Sequence, residues 1–261
     1  MSEISFHLPL VVVFILLLVV GMTAGFIDTL AGGGGMITIP SLLIAGLPPD
    51  AALATNKLQG SFGTVSASWY FIRRGHLQFC CLLPNIMACA IGAAIGTGAV
   101  QLLPTHWLAL FIPILLIMVA GVFILMPALG EVETEARMAV KPFILGCLAP
   151  IGFYDGFLGP GTGSFFLLAL IALQGYTLQN ATIEAKLYNA TTNVISLIVF
   201  LIGGKIVWLA GFSMAVGQLI GARIASGIVV SKGNKLIRPM VITVSIIMSV
   251  YLITRNWFYL F

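Results

Sequence analysis

Long apolar runs alternate with short polar stretches along almost the whole chain. Runs of at least roughly 20 residues, the length that crosses a bilayer as a helix, lie at residues 8–27, 51–72, 79–102, 107–129, 143–175, 182–202, 206–230 and 236–254. The run at 143–175 is interrupted, and glycines also break the chain after the first run. The pattern predicts an all-α, polytopic membrane protein with about 8 transmembrane segments, in 8 to 10 crossings.

Composition and charge strengthen this prediction. Of the 261 residues, 60% are hydrophobic and only 8% are charged, whereas soluble domains carry about 25% charged residues. This excludes a soluble globule, and we expect a single transmembrane domain over residues 1–261 that contacts lipid. The net charge of +4 is expected to report orientation through the positive-inside rule, rather than a nucleic-acid partner. The first run has no basic flank or cleavage site, so it does not resemble a removable signal peptide.

The chain carries the same motifs twice, in the same order. The matching pairs are GFID (25–28) with GFYD (152–155), the glycines 32–35 with GPGTG (159–163), NKL (56–58) with AKL (185–187), and IGAAIGTGAV (91–100) with IGARIASGIV (220–229). We predict two internal repeats, residues 8–129 and 137–256, each with a glycine-rich broken helix. Many secondary transporters consist of two such repeats with the substrate site between them.

The orientation of the two repeats depends on the first glycine run. If residues 8–46 make one broken crossing, the repeats are parallel and both termini lie inside; if the glycines join two crossings, the repeats are inverted and both termini lie outside. Inversion gives the cleaner charge partition. It places Arg73, Arg74, Arg137, Lys141, Lys232, Lys235 and Arg238 on one face against Lys205 and Arg255. The inverted repeat is therefore favoured, and the crossing count stays open.

Four charged residues occupy matching places in the two halves. Asp28 and Asp155 each precede a glycine cluster, where a carboxylate either caps exposed backbone N–H groups or carries a coupling proton or cation. Lys57 and Lys186 each lie near the predicted start of a helix, where the helix dipole disfavours a cation. These lysines either extend to the membrane surface or bind an anion.

Polar side chains follow each lysine at helical spacing, as either a packing face or the wall of an aqueous path. Arg223 has no counterpart in the first half, and its guanidinium either extends to the surface or binds an oxoanion. The candidate substrate-binding residues are Gly32, Gly33, Gly34, Gly35, Asn56, Lys57, Ser61, Thr64, Gly159, Gly161, Thr162, Gly163, Lys186, Asn189, Asn193 and Arg223. The four cysteines and three histidines lack metal-ligand spacing. We therefore expect no metal, no cofactor and no enzymatic activity.

The motif pair GFIDTLAGGGG…ATNKL and GFYDGFLGPGTG…EAKL resembles the TauE/SafE family of sulfite and organosulfonate exporters, also called TSUP. The first half is especially similar to the subfamily of probable bacterial membrane transporters. The resemblance implies secondary transport of small sulfur-containing anions such as sulfite, thiosulfate or sulfonates, usually outward across the bacterial inner membrane. It also implies functional residues at the glycine clusters, at the two lysines and at the polar side chains that follow each lysine at helical spacing. Pro160 and Thr162 interrupt the second cluster, so a strictly symmetric site is not implied.

The resulting hypothesis is an exporter of small sulfur oxoanions or sulfonates that is coupled to protons or another ion. An uncoupled anion channel, or a transporter or importer of another small organic anion, remains the alternative. The exact substrate, the direction, the coupling stoichiometry and the oligomeric state, a homo-oligomer included, stay open at this point.

Overall fold

The structure is a computed structural model that describes residues 10–108, 111–112 and 132–232. The predicted run at 236–254 and most of the run at 107–129 lie outside these residues. The described helices are α1 (Leu10–Ala31), α2 (Gly34–Ile44), α3 (Pro49–Arg73), α4 (Leu83–Gln101), α5 (Val140–Phe143), α6 (Ala149–Phe157), α7 (Thr162–Gln174), α8 (Leu178–Gly203) and α9 (Trp208–Lys232). A 3₁₀ turn (Phe79–Leu82) precedes α4, and a π-helical turn (Ile144–Leu148) joins α5 to α6. The prediction of an all-α membrane protein is confirmed.

Helix length and composition distinguish the membrane-crossing helices from the shorter ones. Within the described part of the chain, four segments are long and apolar enough to cross a bilayer: Val11–Ala31, Phe79–Gln101, Leu178–Gly203 and Trp208–Ser231. Helix α3 has 25 residues, or about 37 Å at 1.5 Å per residue, but it is less apolar because it buries a row of polar side chains. Helices α2 and α7 are apolar but too short to cross alone.

Each glycine cluster lies at the turn of a helical hairpin. Leu17 of α1 packs in the same core cluster as Leu42 of α2, so α2 runs back along α1. In the second half, the backbone N–H of Arg137, just before α5, donates to the carbonyl of Leu173 near the end of α7 at 2.9 Å. Both ends of this second hairpin therefore lie on one side of the molecule. We name these two units hairpin 1 (α1–α2) and hairpin 2 (α5–α7).

Helices α3 and α8 pack against each other in opposite directions. The Nζ of Lys57 donates to Oδ1 of Asn193 at 3.2 Å, whereas the Oγ of Ser68, further along α3, donates to the carbonyl of Lys186, nearer the start of α8, at 3.1 Å. Inverted repeats require these two helices to be antiparallel, whereas parallel repeats require them to run the same way. The inverted repeat and its bounds stay predictions, and this direction favours them.

Glycines allow close contacts between helices of different halves, α1 with α9 and α4 with α6. A Cβ added to Gly221 of α9 would lie 2.0 Å from the carbonyl oxygen of Met22 in α1. A Cβ added to Gly96 of α4 would lie 2.0 Å from the carbonyl oxygen of Phe153 in α6. Such backbone approach requires residues without a side chain. The two halves are thus packed together along α1 with α9 and α4 with α6.

The two ends of the molecule carry different charges. One end, which we call the Arg end, carries the end of α3 and the start of hairpin 2, with the basic residues Arg73, Arg74, Arg137 and Lys141. The opposite end carries Lys205, whose Nζ lies 2.6 Å from Oδ2 of Asp50. Hairpin 1 starts at the opposite end and hairpin 2 starts at the Arg end, so their turns approach each other inside the molecule.

Candidate functional site

The turns of the two hairpins are in direct contact. Gly32 has a φ of +77°, in the left-handed region that favours glycine, and a Cβ added there would lie 2.2 Å from the carbonyl carbon of Gly163. The hydroxyl of Ser164 donates to the carbonyl of Ala31. This contact brings the N-terminal ends of α2 and α7 together, beginning at Gly34 and Thr162.

Each of the two matching lysines forms an ion pair with the aspartate of the other half. The Nζ of Lys57 lies 2.9 Å from Oδ1 of Asp155, and the Nζ of Lys186 lies 2.8 Å from Oδ2 of Asp28. Both lysines are only 2% exposed. Their ammonium groups therefore lie inside the protein rather than at the membrane surface. We call these contacts the crossed ion pairs.

The two aspartates differ in their remaining contacts. Oδ1 of Asp28 accepts a hydrogen bond from the backbone N–H of Gly34 at 3.2 Å, so this carboxylate caps α2 and neutralises Lys186 at the same time. Oδ2 of Asp155 is buried and has no hydrogen-bond partner among the described residues. Capping and charge pairing therefore coexist at Asp28, whereas one oxygen of Asp155 is unsatisfied.

A small polar cavity of about 20 Å³ lies between the hairpin turns and the crossed ion pairs. This volume accommodates about one water molecule and is too small for an oxoanion. The cavity is lined by Asp28, Gly32, Gly35, Asn56, Gln59, Gly60, Asp155, Gly159, Thr162, Gly163, Asn189, Asn193 and Gln218. Two aspartates and two lysines give the site zero net charge.

Amide side chains line the cavity wall, and one of them contacts Lys57. Oδ1 of Asn193 accepts the hydrogen bond from Lys57, while its Nδ2 donates to Oδ1 of Asn189 at 3.2 Å. On α3, Oδ1 of Asn56 accepts hydrogen bonds from the hydroxyl of Thr38 and, at 2.8 Å, from Nε2 of Gln59. These bonds fix the orientation of the polar groups around the cavity.

Most of the predicted site residues converge at this cavity. The predicted residues that line it are Asp28, Gly32, Gly35, Asn56, Asp155, Gly159, Thr162, Gly163, Asn189 and Asn193. Lys186 lines a smaller adjoining space together with Asp28, and Lys57 contacts Asp155. Gly33 and Gly161 lie at the starts of α2 and α7, and Gly34 is the first residue of α2.

Three predicted residues have other contacts. The hydroxyls of Ser61 and Thr64 donate to carbonyls of their own helix, at 2.7 Å to Lys57 and 2.8 Å to Gly60. Arg223 is exposed, with its guanidinium 4.3 Å from the centroid of the Tyr70 ring. This distance is typical of a cation–π contact. The structure does not bring Arg223 to the cavity.

Two amide residues of the cavity, Gln59 and Gln218, were not predicted from the sequence. Each has a buried Oε1 without a partner in the described part of the chain. Repeat matching did not detect them because the residues at the matching positions, Tyr188 and Cys89, are not amides. The sequence feature that could have identified them is an amide side chain inside an apolar run. Polar side chains are rare at membrane depth and are typical of functional positions.

The described residues contain no group of three or more His, Cys, Asp or Glu side chains that could hold a metal ion. The site therefore consists of two ammonium groups, two carboxylates, several amides and two helix N-termini. This arrangement can exchange one anionic partner of a lysine for another.

Comparison with known proteins gives a consistent result. Residues 17–252 match the family described as Sulfite exporter TauE/SafE. The chain is 49% identical over 234 residues to the probable membrane transporter protein YfcA of Escherichia coli, covering 90% of this chain and 87% of YfcA. It is 42% identical over 253 residues to the probable membrane transporter protein ORF9 of Sinorhizobium sp, covering 97% of this chain and 95% of that protein.

A probable membrane transporter protein of Haemophilus influenzae is 40% identical over 245 residues, covering 94% of this chain and 96% of its own length. No solved structure matches the chain. The protein is a multi-pass bacterial membrane transporter rather than an enzyme. The chain belongs to the TauE/SafE sulfite exporter family.

Proposed function

We propose that this protein exports small sulfur-containing anions, namely sulfite, thiosulfate or organosulfonates, across the bacterial inner membrane in a process coupled to protons. The observation that carries the proposal is the crossed ion pairs, because they place two ammonium groups beside a polar cavity between the halves. The description of the family supports the substrate class and the outward direction.

The bound anion replaces the carboxylates as the partner of the lysines. Lys57 and Lys186 already hold anionic oxygens at 2.9 and 2.8 Å, and a sulfonate or sulfite oxygen, like a carboxylate oxygen, is a negatively charged hydrogen-bond acceptor. The N-terminal ends of α2 and α7 face the same region and favour negative charge. Asn189 and Asn193 supply amide groups that orient the anion.

The position of the two carboxylates supports proton coupling. An ionised aspartate beside the site repels an incoming anion and holds its lysine. Protonation removes the negative charge and frees the ammonium group. In this way a proton and an anion occupy the site together and leave the cell together, and the outward concentration gradient of the anion drives the export.

The positions of the crossed ion pairs support a carrier rather than a continuous pore. Lys186 is nearer the Arg end, since its carbonyl contacts Ser68 in the last third of α3. Lys57 lies in the first third of α3, nearer the opposite end. The cavity between the two pairs is closed to an oxoanion. Opening one pair at a time would expose the site to one side at a time, as alternating access requires.

Counterflow in proteoliposomes tests the proposed substrate class. Vesicles loaded with sulfite, thiosulfate, sulfoacetate, taurine or a plain carboxylate are diluted into a trace of labelled sulfite or sulfoacetate. We expect accumulation only with the sulfur anions. Competition by carboxylates as strong as that by sulfonates would show that the substrate class is wrong.

Lysine variants in the same assay test the site. Lys57→Met and Lys186→Met are each expected to abolish counterflow while the protein still inserts into the membrane. Lys205→Met is the matched control, because the Lys205 side chain is 43% exposed and far from the cavity. Normal transport by both buried-lysine variants would contradict the assignment.

A further inference from the structure

The two crossed ion pairs differ at a single carboxylate oxygen. In Asp28, one oxygen accepts the N–H of Gly34 and the other binds Lys186. In Asp155, Oδ1 binds Lys57, but Oδ2 has no partner among the described residues, although the residue is only 1% exposed. An unsatisfied buried oxygen is costly, and most native examples have a functional explanation.

Two further acceptors without a partner in the described ranges line the same cavity as Asp155. Oε1 of Gln59 and Oε1 of Gln218 are also buried and without a partner in the described structure, and both residues line the cavity that Asp155 lines. A proton on Oδ2 of Asp155 converts one of these three acceptors into a donor. The one water molecule that the cavity accommodates can bridge such a donor to an amide oxygen of the same lining.

We propose that Asp155, and not Asp28, binds the coupling proton, on Oδ2, and that this protonation releases Lys57 to bind the transported anion. The inference rests on the proposed function and deepens it. In the balanced step, a proton from water converts the carboxylate of Asp155 into a carboxylic acid, and the ammonium group of Lys57 is unchanged. The charge of the site rises from zero to +1, so one monoanion restores neutrality.

The titratable groups around Asp155 are compatible with this role. Lys57 faces it from α3, Cys89 from α4, and Tyr154 lies beside it on α6. Asp28 from α1 also acts on Lys57, while Lys186 from α8 is bound to Asp28. Lys57 is therefore the one cation in contact with Asp155 in the described structure, and protonation of Asp155 acts directly on it.

Infrared difference spectroscopy on the purified full-length protein tests this assignment without any substrate. Spectra at neutral and acidic pH are recorded in H₂O and D₂O, and the C=O band of a protonated carboxyl group is followed. We expect wild type to gain a deuterium-sensitive band that Asp155→Asn lacks and Asp28→Asn retains. Glu184→Gln is the matched control, because Glu184 is another buried carboxylate, bonded to Tyr188 outside the cavity.

Three results would overturn the proposal: a band that persists in Asp155→Asn, a band lost in Asp28→Asn alone, or a band that Na⁺ suppresses at constant pH, which would indicate a metal cation at these oxygens. If Asp155→Asn does not fold, the double variant Lys57→Met/Asp155→Asn leaves no unpaired charge at that pair. This double variant is also expected to lack the band. A band in its spectrum would equally contradict the assignment.

A transport measurement separates this inference from the proposed function. In counterflow at several pH values, wild type and Glu184→Gln are expected to bind the anion more tightly as the pH falls, whereas Asp155→Asn loses that dependence. If Asp155→Asn keeps the wild-type pH dependence, the proton assignment fails and the transport function stands. If no sulfur anion is transported but the infrared band depends on Asp155, the substrate class fails and the proton site stands.

Discussion

The crossed ion pairs contain four buried charges. Burying any one of them without its partner would cost free energy. Taking an ion out of water costs several kcal/mol, and the partner offsets this only when its geometry is good. Lys57 and Asp155 meet that condition, since their charged atoms lie 2.9 Å apart and Asn193 supplies another hydrogen bond. Each charge therefore depends on its partner in the other half of the chain.

A double-mutant cycle tests this dependence. Lys57→Met alone leaves Asp155 buried without a counter-charge and is expected to lower the free energy of unfolding by about 3–5 kcal/mol. Lys57→Met/Asp155→Asn removes both charges and is expected to be more stable than the single variant. Thermal unfolding in detergent measures these two variants and Asp155→Asn alone, which completes the cycle. A loss in the double variant equal to the sum of the losses in the two single variants would show that the pair is not energetically coupled.

At the scale of helices, the closest packing in the described structure occurs between the halves. Helix α9 contains one glycine that lies against another helix and one that faces open space. Gly221 lies against the backbone of Met22, whereas nothing lies within 4 Å of a Cβ added to Gly227. The same substitution on one helix therefore has opposite expected effects.

Gly221→Ala is expected to destabilise the protein by about 1–3 kcal/mol, because the added methyl group forces α1 and α9 apart. Gly227→Ala, the control, is expected to be neutral or to stabilise by up to about 1 kcal/mol, because alanine favours helix over glycine. Melting temperatures in the same detergent give the comparison. A lower melting temperature for Gly227→Ala than for Gly221→Ala would refute the assigned α1–α9 contact.

The sequence was sufficient to predict the helices, because apolar runs of bilayer length have few alternatives to a helix. It also identified most of the cavity residues, because polar groups at matching places in two apolar halves stand out. It did not show which lysine meets which aspartate, since matching two halves reveals equivalent positions but not contacts between them. Gln59 and Gln218 were missed because no equivalent amide marks them in the other half.

At the scale of the whole molecule, the described basic residues define an orientation. Arg73, Arg74, Arg137 and Lys141 lie at the Arg end and Lys205 at the opposite end. The positive-inside rule places the end with more basic residues, the Arg end, in the cytoplasm. Helix α1 then begins on the outer side of the membrane. Inverted repeats predict the same location for the N-terminus.

Cysteine labelling tests this orientation. In a variant without native cysteines, His76→Cys at the Arg end and Lys205→Cys at the opposite end introduce one thiol each at an exposed position. A membrane-impermeant thiol reagent added to spheroplasts is expected to label the thiol at position 205 and to label position 76 only after lysis. The reverse pattern would invert the assignment.

The crossed ion pairs have a consequence for how such a molecule could arise. Each half supplies an aspartate that the other half's lysine needs, so neither half alone satisfies its own charges. Two copies of a single ancestral half, inserted into the membrane in opposite orientations, would bring the same four charges to the same centre. A dual-topology homodimer would therefore already contain the site. Gene fusion would then have allowed the two halves to diverge, as the contacts of Asp28 and Asp155 have.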